Sequence, residues 1–520
     1  MSNGYFRELQ QYSVKDISDN LGILDVAITK KLIGKLRKNS VLKAVSRSKT
    51  EYDKVDETNE FIGDVDSDFK VAYVFNYVGI IIVDKYVIKC YPKYIRHSDE
   101  PEDEFKTILK VLQKANSDNP VLDLSSGGNA FSQEGIALKL YILNEFYQRG
   151  LYIKEKESSE DNGEGEILWD ETLEEQSYCI GGNIFHLPLK TLLIEEDEDY
   201  FTNLHKCVLS QVSRELEENG MNKLFGLTSL YLTPISLADF DSVEHILYML
   251  EREVREQYVT WKRALLKALQ SYVVTNKMEK SGGRFELYGT NAFHVIWENV
   301  CKKIFRDCLD LPLKSLPATL SELYSKKKNY RLIDIIEKPI WYGVRENVYV
   351  NANKTFKPDL IGIYSSENQG VHEFWIFDAK YYYYAFEKKK NSEEYIIIGQ
   401  PGVEDIAKQY MYEIVFRDFI KAHGYVMTHN IFLTPTEEQT YYFGNVRIDS
   451  LERFNNEKLK TIEVVKINAD DAYKLYLNGN KAYNIIKYLR DFKYEHRVNA
   501  CLYNEGEYPS SSMKVAETNS

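Results

Sequence analysis

Apolar residues fall at two different periods along this chain. In the N-terminal half, Val71-Ala72-Tyr73-Val74-Phe75, Val78-Gly79-Ile80-Ile81-Ile82-Val83 and Tyr86-Val87-Ile88-Lys89-Cys90-Tyr91 are short, β-branched and aromatic runs, the composition of strands. Asp84-Lys85 sits where a tight turn joins two of them. Ahead of them, Asp16–Ile23 predicts a short helix closing on Gly22, and Ile28–Arg37 a second, basic one with Lys30, Lys31, Lys35, Arg37 and Lys38 nearby. This is the order of a helix-turn-helix, winged or plain, and equally of an ordinary helical hairpin with a solvated basic face. From Glu102 to Ala115 the period becomes helical, with Phe105, Ile108, Leu109 and Leu112 on one face.

Residues 155–175 are dominated by acids and predict a mobile loop, although Ile167-Leu168-Trp169 is strand-like. Helical periodicity then returns from about 200 to 275, including Leu204 to Leu216 and a long run from Val243 to Tyr272. Beyond Phe285, a helix from Asn291 to Cys308 places Phe293, Ile296, Trp297, Val300 and Ile304 inward. Strands follow at Val348–Val350, Leu360–Tyr364 and Phe374–Phe377, a helix at Val403–Ala422, strands at Asn430–Leu433 and Ile462–Ile467, and a helix at Ala469–Arg490. The order in this half is α/β.

At 520 residues the chain is too long for one ordinary core. The pattern divides it into 1–60, the possible helix-turn-helix or winged helix; 61–199, a β-rich region with the acidic loop; 200–283, a helical connector; 284–495, the α/β half; and 496–520, a polar tail whose composition predicts disorder. The fold class expected is thus a multidomain α+β N-terminal region followed by an α/β core; the nuclease resemblance described below implies that this core is a central mixed sheet flanked by helices.

Charge changes the picture once its location is seen. The net charge is −13, but residues 155–175 carry −9 and Glu195–Asp199 another −5, leaving the remainder at +1. A nucleic-acid groove outside the acidic segments is therefore compatible with the composition. No apolar stretch is long enough to span a bilayer, and the first residues lack a basic segment followed by an apolar core. The expectation is a cytoplasmic protein with no membrane partner. Six scattered cysteines without a Cys-x-x-Cys pair fit reduced thiols.

One constellation carries chemistry. Asp359 follows Pro358 at the start of the apolar run Leu360–Tyr364; after 18 intervening residues Asp378 ends the apolar run Phe374–Phe377, with Lys380 two positions on. Residues two apart on a strand face one side, so Asp378 and Lys380 point together. The stretch Ser365–Gly370 is of hairpin length and brings Asp359 beside Asp378. Two carboxylates and a backbone carbonyl, here that of Ala379, can hold Mg²⁺, which prefers hard oxygen ligands and keeps several waters. A neighbouring lysine can orient the attacking water or stabilise developing charge. Acid-x-Lys alone carries no information, since it recurs at Asp68-Phe69-Lys70, Glu104-Phe105-Lys106, Glu387-Lys388-Lys389 and Asp491-Phe492-Lys493. What distinguishes Asp378 is the buried-type run before it; the bland reading is an ion pair closing a strand end.

Pro358-Asp359-x18-Asp378-Ala379-Lys380 resembles the PD-(D/E)xK nuclease superfamily over roughly residues 285–495. The resemblance implies that Asp359 and Asp378 bind Mg²⁺ and Lys380 positions water. It further implies that Glu298, in the preceding helix, completes the metal shell, and that Gln409, in the following helix, supports the lysine. Where RecB-like and McrC-like branches carry a tyrosine four residues after that glutamine, this chain has Glu413, flanked by Tyr410 and Tyr412. Tyr77–Ile82 with Cys90-Tyr91-Pro92-Lys93-Tyr94 resembles the "VG" strand and "PK" strand end of McrC-like and LlaJI-type restriction proteins, and Gly163–Thr172 resembles the LlaJI "GEI-W-T" stretch. The resemblance implies a restriction endonuclease, or its nuclease subunit, cutting double-stranded DNA in defence against foreign DNA, in some members with a McrB-like AAA+ GTPase.

The chain has no Gly-x-x-x-x-Gly-Lys-Ser/Thr, so nucleotide hydrolysis falls to a partner, and no methyltransferase signature, so host protection falls to a cognate methyltransferase. His423 and His429 have no ligand spacing. Lys326-Lys327-Lys328 with Arg331, and Lys388-Lys389-Lys390, suit phosphate contacts or solvated loops equally. Tyr381–Tyr384 reads as a packed strand edge more than as a base-stacking platform. Two other functions share these residues: a non-cleaving DNA-binding scaffold, and a repair or mobile-element nuclease.

Overall fold

The computed structural model describes residues 2–46, 71–118, 135–175, 177–197, 199–282, 284–317, 320–345, 347–366, 370–389, 393–454 and 457–491. The tail expected from 496 lies outside these residues. The protein is a mixed α+β molecule with several separate sheets, and it divides into two compact units. One takes its described residues from Met1–Arg47, Phe61–Tyr91 and Asn116–Asn291; the other from Pro92–Ala115 and Ala292–Ser520. Among the described residues no helix is long and apolar enough to cross a membrane.

In the first unit the three apolar runs are strands Val71–Phe75, Val78–Val83 and Tyr86–Tyr91, with Asp84-Lys85 as the turn between the last two. Strand Ser2–Arg7, which the sequence did not suggest, adds parallel to Tyr86–Tyr91, and Phe285–Thr290 adds antiparallel to Val78–Val83. Gly79 of the "VG" strand lies directly opposite Gly289. Both have positive φ, and a Cβ at either would stand 2.1 Å from a carbonyl oxygen of the other strand. Glycine is required there because the two backbones approach too closely for any side chain.

Helices Val14–Asn20 and Val26–Lys38 form the predicted hairpin, capped by Ser13 and Asp25. Their inner residues Ile17, Leu21, Leu32, Ile33 and Leu36 join a core with Phe6, Phe75, Ile81 and Ile88. Part of the basic face is engaged: Lys35 Nζ lies 2.6 Å from Asp84. The helical stretch is Tyr200–Glu218, Met221–Phe225, Leu237–Phe240, Val243–Glu256 and Thr260–Gly282, so the long run expected from Val243 breaks at residues 257–259.

The acidic stretch is not the loop that its charge suggests. Lys154–Asp161 is a strand paired antiparallel with Lys190–Asp197, the second acidic run, with Glu155 opposite Glu196. Ile167 makes one bridge to Thr191, and Trp169 begins a helix running to Glu174. Backbone hydrogen bonds hold such a ribbon whatever its side chains. Lys190 compensates the ribbon's acids at one end, lying 2.7 Å from Asp161 and 3.3 Å from Glu175, while Lys154 at its start ties it to buried Glu253 at 3.0 Å.

This unit contains a titrating group with a clear consequence. His205 is wholly buried, and burial lowers its imidazole to about 4. Its Nδ1 accepts the Tyr152 N–H at 3.0 Å, which leaves the proton on Nε2. An unfolded histidine titrates near 6.5, so on acidification the unfolded chain takes up a proton that the folded chain refuses. Stability is therefore complete above about pH 6.5 and falls as the pH drops toward about 4, by ~3 kcal/mol in all. Urea midpoints measured across this range for wild type and His205→Gln should show the acid loss shrinking in the variant.

The second unit is built on a mixed sheet of strands β1 (Leu360–Ser365), β2 (His372–Ala379), β3 (Val426–Thr436), β4 (Tyr441–Val446) and β5 (Ile462–Asn468). Their spatial order is β1-β2-β3-β5-β4; β2, β3 and β5 run parallel, while β1 and β4 are antiparallel edges. Helices α1 (Phe293–Ile304), α2 (Val403–Ala422) and α3 (Ala469–Leu477) pack around it. On one face Ile361, Ile363, Phe374 and Ile376 meet Tyr412, Phe416, Phe419 and Ile420 of α2. Phe305, at the end of α1, packs on Phe377 at 5.1 Å, and Trp297 packs edge-on to Tyr473 of α3. The helix expected over Ala469–Arg490 ends instead at Leu477 and resumes at 483, because Asn478-Gly479-Asn480 turns with Gly479 at φ 70°.

Candidate active site

The register of β1 on β2 pairs Leu360 with Phe377 and Ser365 with His372. Continuing it one step puts Asp359 opposite Asp378. Side chains alternate along each strand, so Asp359 and Asp378 project on the side of Ile361 and Ile376, toward α2. The Ala379 N–H donates to Asp359 Oδ2 at 2.9 Å, which locks the first carboxylate onto the second strand. The Lys380 N–H donates to the Leu433 carbonyl and continues the β2 alignment one residue further.

Asp378 is only 5% exposed. Burial drives Asp359 well above the usual carboxylate range, and the charge of Asp378 and a hydrogen bond to it raise it further. Two carboxylates in so dry a place hold a proton between them unless a cation takes its position. Lys380 Nζ lies 3.0 Å from Asp378 Oδ2 and 3.3 Å from Asp405 Oδ1. Burial opposes its charge, but Asp378, Asp405 and Asp359 outweigh burial and raise the ammonium's pKa. The lysine is therefore a fixed cation.

Asp405 was not among the residues picked from sequence. It lies in the first turn of α2, where an acid is ordinary as a partner of the helix dipole; the signal that could have found it is its position four residues before Gln409. Gln409 is itself wholly buried, and neither side-chain amide atom has a hydrogen-bond partner among the described residues. Its backbone carbonyl accepts Asn430 Nδ2 at 3.2 Å. Tyr412, one turn on, donates its hydroxyl to the Lys357 carbonyl at 3.1 Å, anchoring the chain just before Pro358-Asp359. Glu413 caps another loop by accepting the Lys460 N–H.

Glu298 has a different partner. It is ion-paired with Lys302 one turn along α1, and among the described residues no set of three or more His, Cys, Asp or Glu side chains converges as metal ligands. Between them, buried Cys301 has its thiol pushed up by burial, then by Asp359 and Glu298. The structure thus brings together Asp359, Asp378 and Lys380, adds Asp405, and leaves Glu298 on its own ion pair.

The "PK" segment packs behind the site. Lys93 lies over the rings of Tyr381 and Tyr382, and Arg96 over Tyr383 at 3.7 Å. The Arg96 and His97 N–H groups both donate to Glu437. Tyr381 and Tyr384 are buried; the tetra-tyrosine run is packed as expected, but as an extended segment beyond β2 rather than as a strand. Of the basic clusters, Arg331 is held by Asp334 and Asp310, and Lys388 and Lys389 pair with Glu393 and Glu394 across the hairpin Ala385–Lys388/Tyr395–Ile398.

The family model for the LlaJI restriction endonuclease matches residues 77–470. The type II restriction enzyme BsuMI component YdjA of Bacillus subtilis (strain 168) is 28% identical over 425 residues, covering 79% of this chain and 82% of that protein. A structure of Thermococcus gammatolerans McrB AAA+ hexamers with bound McrC aligns with 92% of this chain and 99% of the matched one, at 15% identity and a TM-score of 0.34. A second structure of the Thermococcus gammatolerans McrBC complex covers 55% of this chain and 83% of that one, at 16% identity and a TM-score of 0.21.

Proposed function

The chain belongs to the LlaJI restriction endonuclease family, and from that membership we propose that it is the DNA-cutting component of its restriction system. It hydrolyses phosphodiester bonds of double-stranded DNA at Asp359, Asp378 and Lys380 with bound Mg²⁺, as a PD-(D/E)xK nuclease. The observation that carries this reading is the pair of carboxylates buried against each other with a lysine held on one of them.

The donor set fits Mg²⁺: two hard carboxylates side by side suffice for an ion that keeps much of its water. When bound, the ion neutralises charge on the phosphate and acidifies a coordinated water. The chain's own groups do the rest. Asp359 and Asp378 would hold the cation, with the Ala379 carbonyl available as a further oxygen. The Ala379 N–H keeps Asp359 from turning away. Lys380, tethered by Asp378 and Asp405, presents a fixed ammonium that orients the attacking water and offsets developing negative charge. Gln409, whose side-chain amide has no hydrogen-bond partner among the described residues, is the group on α2 left to support the lysine, and Glu298 would have to release Lys302 to join the metal shell.

The Bacillus subtilis relative is one component of BsuMI, which supports a multi-subunit system. The likeness of the "VG" and "PK" segments to McrC-like proteins supports a McrB-like AAA+ GTPase among the partners. A cognate methyltransferase then protects host DNA.

Asp405 offers a test that spares the metal ligands. Asp405→Asn removes one of the two anions holding Lys380, so the rate of plasmid cleavage at saturating Mg²⁺ should fall about tenfold, with little change in the Mg²⁺ concentration for half-maximal rate. Lys380→Ala should fall much further. Products should appear on adding Mg²⁺ and cease with a chelator; cleavage indifferent to both substitutions would contradict the assignment.

A further inference from the structure

Just ahead of Pro358, strands Ile340–Gly343 and Val348–Asn351 pair antiparallel, with Trp341 opposite Val350 and Tyr342 opposite Tyr349. They form a two-stranded sheet of their own. A ribbon attached to a core buries one face and wets the other. Here both faces carry large apolar side chains and both are open: Trp341 is 71% exposed, Tyr349 73% and Val344 78%. Tyr342 and Tyr349 stack across the strands at 4.7 Å, and the Tyr342 hydroxyl bonds Asn347 Oδ1 at 3.1 Å.

The root of the hairpin is fixed. The Ala352 N–H donates to the Pro339 carbonyl at 2.7 Å, and Thr355 Oγ1 donates to the Glu337 carbonyl at 2.6 Å. Tyr412 then ties Lys357 to α2. A projecting hairpin is thus mounted on the residues that set Asp359 in place.

A contiguous exposed apolar surface marks an interaction site, and charge selects what it meets. From Lys338 to Lys357 the chain carries Lys338, Arg345, Lys354 and Lys357 against Glu346 alone, +3 within a protein of −13. Cations interleaved with aromatic rings suit a polyanion that offers flat faces for stacking and steps for apolar wedges. We propose that this hairpin is a DNA-gripping arm. Trp341 on one face of the ribbon and Tyr349 on the other press on opposite walls of a groove, and Arg345 and Lys354 contact flanking phosphates. The identity of the polymer rests on the nuclease reading above.

The test is duplex binding by the full-length protein, followed by fluorescence anisotropy of a labelled oligonucleotide in chelator so that nothing is cut. Trp341→Ala/Tyr349→Ala should weaken binding at least about tenfold, with the unfolding temperature and sedimentation coefficient unchanged. Arg345→Ala/Lys354→Ala should weaken it too and reduce the slope of log K against log salt by about two. Wild-type affinity in both variants, or no duplex binding by the wild type, overturns the proposal. Loss of self-association in the aromatic variant with DNA binding intact also overturns it and makes a second copy the occupant. A wild type that binds through the arm yet cuts nothing in Mg²⁺ contradicts the nuclease reading and leaves the arm standing; one that cuts while arm variants bind normally contradicts the arm alone.

Discussion

Asp359→Asn is expected to stabilise the metal-free protein while abolishing cleavage. The asparagine keeps an oxygen for the Ala379 N–H and is neutral without the proton that burial and Asp378 force onto Asp359. Sparing the folded chain that proton uptake is worth on the order of 1–2 kcal/mol, a rise of roughly one to two degrees in unfolding temperature for a chain of this size. The cleavage rate should fall by at least about a hundred- to a thousandfold, the loss seen when one preorganised electrostatic group is removed from a reacting centre. Mg²⁺ should raise the unfolding temperature of wild type and fail to do so for the variant. An ion pair that merely closed a strand end would behave in the opposite way, losing stability with the substitution and ignoring Mg²⁺. Differential scanning calorimetry with and without Mg²⁺, beside a plasmid assay, reads all of these outcomes.

Lys139→Ala should be the most damaging single change to the first unit. Its Nζ lies 3.0 Å from Glu286 Oε1 and 3.0 Å from Glu215 Oε2, with Lys139 and Glu286 side chains 3% and 1% exposed. Arg284 also reaches Glu286, and the Tyr272 hydroxyl donates to Glu215 at 3.0 Å. Burial pushes Glu215 up, but Lys139, then the hydrogen bonds of Lys139, Gln211 and Tyr272, bring it below its ordinary value. Removing the lysine leaves buried Glu286 with Arg284 alone and strips Glu215, whose side chain is 26% exposed, of its cation, at a cost of ~3 kcal/mol. Lys139→Met, which keeps the packing, should lose nearly as much, because the stranded charge dominates. Denaturant titration of both variants measures the loss; a cost under about 1 kcal/mol would show that water reaches the cluster.

The sequence was most legible where burial is strongest. β1 and β2 were visible as apolar runs because both are buried through their length. Their register followed from the hairpin-length Ser365–Gly370 stretch, and that register alone makes Asp359 and Asp378 neighbours. Asp405 was legible only through its position four residues before Gln409, because nothing else local separates an acid that holds a lysine from one at the start of a helix. The acidic strand Lys154–Asp161 was misread since its pairing rests on backbone bonds, to which side-chain pattern is a poor guide. The break after Leu477 was available in Asn478-Gly479-Asn480 and was overridden by the apolar period around it. The exposed hairpin at Ile340–Asn351 was half seen, its second strand alone, because a ribbon open on both faces has no alternation to reveal it.

The most direct measurement of the central claim is plasmid cleavage in Mg²⁺ by wild type and Asp378→Ala, each alone and together with the other proteins of its restriction system. The account predicts metal-dependent cleavage by wild type that disappears in Asp378→Ala under every condition. Absence of cleavage by wild type in all of them, or cleavage that survives Asp378→Ala, would contradict it.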